Sequence, residues 1–108
     1  MTAKSEYEAA YFTLLRAQDE REGLVRYRDF LDAERLRLDA FDRTTTSLAQ
    51  PVPARVRRPV DATAKQLLEA VGRRRAIVLS ELNRSDDRIA AAEAFVEECE
   101  AEVSSLRP

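Results

Sequence analysis

Histidine is missing altogether from this sequence of 108 residues, cysteine occurs once, glycine twice and proline four times. The missing histidine removes His-dependent triads, imidazole metal ligands and the side chain that usually transfers protons near neutral pH. One cysteine allows no internal disulfide, and Cys99 falls on an apolar stripe, which predicts a buried, unreactive thiol. So little glycine and proline in a chain that is 35% charged points to long regular helices rather than sheets. No apolar run approaches the ~20 residues a membrane span requires, and the start, Met1 to Glu8, lacks the apolar stretch of a secretory signal. The chain therefore reads as a soluble, cytoplasmic protein. Arginine outnumbers lysine sixteen to two, a bias of GC-rich bacterial genomes that carries no structural consequence.

What is present is helical periodicity. Between residues 4 and 43 there is no proline, and Tyr7, Ala10, Leu14, Ala17, Leu24, Tyr27, Leu31, Leu38 and Phe41 recur at helical spacing, with Arg21 and Glu34 on the same line. Ala10, Ala17, Leu24, Leu31 and Leu38 keep a strict seven-residue repeat, the mark of a coiled-coil seam. Residues 44–59 gather three prolines behind the polar run Thr44-Thr45-Thr46-Ser47 and predict a Pro/Arg-rich loop, with room for one helical turn before Pro59. From 60 to 106 the stripe is cleaner: Ala64, Leu68, Val71, Arg75, Val78, Leu82, Ser85, Ile89, Ala92, Val96, Cys99, Val103 and Leu106 follow one another in steps of three or four.

Two helices of similar length joined by a short breaker predict an all-α fold, an antiparallel coiled-coil hairpin forming one domain. Equal arms would set Phe41 opposite Ala64, Leu24 opposite Leu82, Ala17 opposite Ile89, Leu14 opposite Ala92 and Ala10 opposite Val96. A second, weaker apolar line runs along each helix: Phe12, Leu15, Phe30, Ala33 and Leu36 on the first, Leu67, Ala70, Ile77, Ala91 and Phe95 on the second. A lone hairpin leaves both lines wet, so the expected form is a homodimer closing a four-helix bundle; the alternative is a hairpin completed by another protein.

Charge divides the chain. Residues 43–75 hold eight basic side chains against two acidic ones, whereas no basic residue interrupts the run from Glu93 to Glu102. A basic loop end suits an acidic protein surface or phosphates. The candidate partner-binding residues are Arg55, Arg57 and Arg58 in the loop, with Arg43, Arg73 and Arg74 beside it. As a nucleic-acid site this tip has no aromatic residue to stack on bases, and the overall charge of −2 does not suit a coat for DNA or RNA. Glu97, Glu98 and Glu102 lack the Asp/Asn/Gly loop that would complete a coordination sphere, so no metal is expected, and no cofactor.

One polar layer crosses the helices at Arg21, Glu81, Ser85 and Arg88, a device that fixes alignment at some cost in stability. Within it, Glu81-x-x-x-Ser85-x-x-Arg88 resembles the first three positions of the helical motif Glu-x3-Ser-x2-Arg-x3-Gln-x3-Asp, with which certain two-helix anti-sigma proteins bind cyclic di-GMP. Ala92 and Val96 stand where that motif has Gln and Asp. The sequence thus predicts a non-enzymatic interaction module, structural or regulatory, that offers its basic loop to a macromolecular partner. The resemblance implies the alternative, a nucleotide-responsive or nucleic-acid-binding helical regulator.

Overall fold

The computed structural model describes residues 2–107. Two helices make up the fold: α1 spans Ala3–Ala49 and α2 spans Ala54–Leu106, with no strand among the described residues. Helix α1 opens on a cap, because Thr2 Oγ1 accepts the Ser5 amide at 3.2 Å while the Thr2 carbonyl takes the Glu6 amide at 3.0 Å. Such a cap supplies partners to amides that otherwise face only water. At its other end Pro51 disfavours helix at Gln50 and has no amide hydrogen to donate.

The break is therefore much shorter than the 44–59 loop the sequence suggests: only residues 50–53 lie outside the helices. Thr44 to Ala49 stay helical because Leu38, Asp42, Thr45 and Ala49 continue the inward spacing, all half-buried, and that packing outweighs the low helix propensity of threonine. Ala54 to Arg58 form the first turn of α2, started by a bond from the Val56 amide to the Pro53 carbonyl at 3.1 Å. Pro59 lies within the helix, where it deprives the Arg55 carbonyl of its usual donor.

The chain divides into two compact units, in each of which a stretch of α1 lies antiparallel to a stretch of α2. The first, residues 1–29 with 83–108, is the better packed: Leu14, Ala17, Val96, Cys99 and Val103 form its core, with Tyr7 and Ala10 packed against them. Ser85 and Ile89 are buried as well. The second unit, residues 30–82, buries Leu31, Val71 and Val78, yet no residue between 32 and 70 is fully buried. Beside half-buried Leu38 and Leu68, its seam there holds small or polar side chains, Asp42, Thr45, Ala49 and Ala64, which withdraw little area from water.

All thirteen stripe positions of α2 are buried or half-buried. On α1 the stripe departs from the expected line at two places. Tyr27 and Phe41 are exposed, while their neighbours Arg28 and Asp42 are half-buried. The seam takes a step of four after Leu24 and after Leu38, as a strict heptad requires, and this turns the two aromatic rings onto the flank. The pairing also slips by about one helical turn from the expected register: Ala17 shares a groove with Ala92 rather than Ile89, and Ala10 one with Cys99 rather than Val96. Because α2 begins at Ala54, its exposed first turns add length that the equal-arm hairpin did not count.

Candidate interaction surfaces

The six arginines expected to meet a partner all fall in the 30–82 unit, and Arg55, Arg57 and Arg58, expected in the loop, stand on the first turn of α2. Arg55 and Arg58 are exposed on the first turn of α2, and Arg57 stands 3.8 Å from Asp61 one turn on. Arg43 and Arg73 are exposed too. Arg74 is engaged differently, reaching across to Glu34 on α1 at 3.7 Å. Glu34 also accepts two hydrogen bonds from Arg37, at 2.8 and 3.2 Å, and these chiefly hold its carboxyl below the usual carboxylate range, with the charges of Arg37 and Arg74 adding and partial burial opposing. Arg37 in turn lies over the Phe30 ring, 5.7 Å from its centre.

Sequence reasoning marked Arg75 only as a polar interruption of the α2 stripe. It donates from Nη2 to Asp39 and lies 3.8 Å from Asp42, so a guanidinium from α2 holds two carboxylates of α1. These aspartates were legible only as surface charges, since Arg75 is 36 residues away in sequence from Asp39. The arginine Nε is buried with no partner among the described atoms, which offsets part of what the pair contributes.

Arg21, Ser85 and Arg88 belong to the first unit and Glu81 to the second. Ser85 is buried and Arg21 half-buried. Leu24 and Glu20 share a groove with Arg88, Ala91 and Ala92, so Arg21 is level with that turn, and Ser85 lies about one turn away along α2.

No protein family, curated protein or solved structure matches the chain. Its surfaces have to be read from their own chemistry, and the apolar ones are extensive. Phe12, Leu15, Phe30, Ala33 and Leu36 of α1 are exposed, and so are Leu67, Ala70, Ile77, Ala91 and Phe95 of α2. Every residue of the second apolar line on each helix is thus left to solvent by the hairpin.

Among the described residues no group of acidic or thiol side chains could hold a metal ion, and no helix is long and apolar enough to cross a membrane. Cys99 is buried, and burial raises its thiol pKa, with Glu102 and Glu98 adding to the rise. A thiol kept protonated and covered reacts slowly. Ellman's reagent should modify the folded protein at least about tenfold more slowly than the urea-unfolded chain. Equal rates would mean that the α2 seam opens freely at Cys99.

Proposed function

We propose that this chain is a non-enzymatic coiled-coil interaction module, structural or regulatory, that pairs with a second copy through its exposed apolar lines and offers its basic first α2 turn to an acidic macromolecular partner. One observation carries the reading: all ten residues of the second apolar lines are exposed, on both helices. Scattered single apolar residues on a surface need no explanation, but lines of them at helical spacing are stripes that water penalises. Further copies of the same stripes are the simplest cover, because oligomers of one chain close by symmetry. Its proposed compartment is the cytoplasm, where a lone thiol with no disulfide partner is the ordinary condition.

The test is sedimentation equilibrium at micromolar concentration, where a homodimer is expected. A stable monomer throughout that range would overturn the pairing and leave the apolar lines to a different protein.

A further inference from the structure

The two units carry grooves of opposite character. In the 30–82 unit, Phe41, Leu48, Val60 and Leu67 line an apolar groove between the helices, in the region where no residue is fully buried. Leu48 is 71% exposed, so this groove presents large side chains that its own unit does not cover. In the other unit, three alanines, Ala17, Ala91 and Ala92, line a groove together with Leu24, Phe95, Glu20 and Arg88. The alanines of the second groove leave room for large side chains such as those of the first, as the packing of helices requires.

Charge follows the same division. The unit of residues 30–82 holds ten basic and seven acidic side chains, a net of +3. The unit of residues 1–29 and 83–108 holds eight basic and thirteen acidic, a net of −5. The two grooves also agree in heptad position. Phe41 and Leu48 share one with Glu20 on α1, and Leu67 shares one with Phe95 on α2, each at multiples of seven residues.

We propose that the occupant of the Phe41/Leu48/Leu67 groove is the Ala17/Ala91/Phe95 groove of a second copy, so that the dimer is antiparallel. Each copy's basic unit then lies on the other's acidic unit. About a two-fold axis a contact made once is made twice. The parallel arrangement would set Phe41, Leu48 and Leu67 against their own copies and bring units of like charge together, a juxtaposition that interfaces disfavour. Opposite charges steer the antiparallel encounter and select its orientation, and the apolar contact supplies the affinity.

This proposal rests on the pairing put forward above, of whose exposed lines the two grooves take in Leu67, Ala91 and Phe95, and disulfide trapping separates the two. In a Cys99→Ala background, verified by circular dichroism to keep its helix content, Leu67→Cys and Ala91→Cys are made as separate single variants. Both new thiols lie at exposed positions, so folding should be unaffected. After mixing, exchange of subunits and mild oxidation, the Leu67→Cys and Ala91→Cys chains should form a mixed disulfide dimer, while neither variant alone should cross-link above background. Cross-linking of Leu67→Cys to itself would overturn the antiparallel arrangement and establish tip-on-tip pairing. A sedimenting dimer that yields no mixed disulfide would overturn it as well, leaving the pairing intact. A monomer in sedimentation would remove both.

Discussion

Val96→Asp should unfold the protein or lower its melting temperature by about 15–30 °C, whereas Phe95→Asp, one residue earlier, should leave the fold standing. Val96 is 1% exposed and sits among Leu14, Ala17, Cys99 and Val103. A carboxylate there loses its hydration, and its own helix supplies only like charge, because no basic residue occurs between Ile89 and Leu106 while Glu93, Glu97 and Glu100 are close in sequence. An unpaired buried charge costs roughly 3–5 kcal/mol even after relaxation. A domain of this size has about 5–15 kcal/mol in all, and each kcal/mol moves its melting point by roughly 4–8 °C. Phe95 is 46% exposed and lines the Ala17/Ala91/Phe95 groove, so a charge there stays hydrated and should instead weaken the association of copies. Thermal melts followed by circular dichroism decide the matter. If the two variants melted together, the packing of the α2 seam described above would be wrong.

That contrast between adjacent residues was legible in the sequence, since Val96 lies on the strict stripe and Phe95 on the weaker line beside it. The α2 stripe could be read completely because one helix repeating in steps of three and four fixes its inward face without reference to its partner. What could not be read were quantities that depend on both helices at once. Tyr27 and Phe41 each stand one residue from the seam, and large rings three residues after Leu24 and Leu38 imitate an inward step. Only packing against α2 shows that the heptad continues through Arg28 and Asp42. The same holds for Arg75, whose carboxylate partners on α1 were unmarked until the register brought them together. That register shifted because the first turns of α2 extend the helix without packing on α1, which no single-helix pattern shows. The run Thr44 to Ser47 has poor helix propensity, but Thr45 lies on the inward face, and tertiary contact decides such cases. Arg55 to Arg58, read as part of the loop with room for one helical turn, extend from the first turn of α2.

On that turn, replacing Arg55, Arg57 and Arg58 together by alanine should weaken binding to an acidic partner by about one to two decades in Kd and leave helix content unchanged. None of the three contributes to the buried seam, and Arg57 gives up only an exposed contact with Asp61 within its own helix. Alanine is a strong helix former, so the turn itself should persist. Each exposed ion pair lost to a partner is worth roughly 0.2–1 kcal/mol, and three of them reach about 1–3 kcal/mol. The Phe41/Leu48/Leu67 groove contains none of these arginines, so its apolar contact should survive the change, although the 30–82 unit falls from +3 to neutral and loses the charge that selects the dimer's orientation. Immobilised poly-glutamate provides a defined acidic probe: the parent protein should bind at low salt and elute as ionic strength rises, because exposed charges act over only about 10 Å at 0.1 M. The triple variant should elute at distinctly lower salt. Single-stranded DNA tested in parallel separates two kinds of target, since a nucleic-acid binder would hold DNA more tightly than the polypeptide and lose that preference in the variant. Identical elution of parent and variant from both matrices would show that the Arg55–Arg58 turn is not the basic contact, and would shift attention to Arg43 and Arg73, which are exposed elsewhere in the same unit.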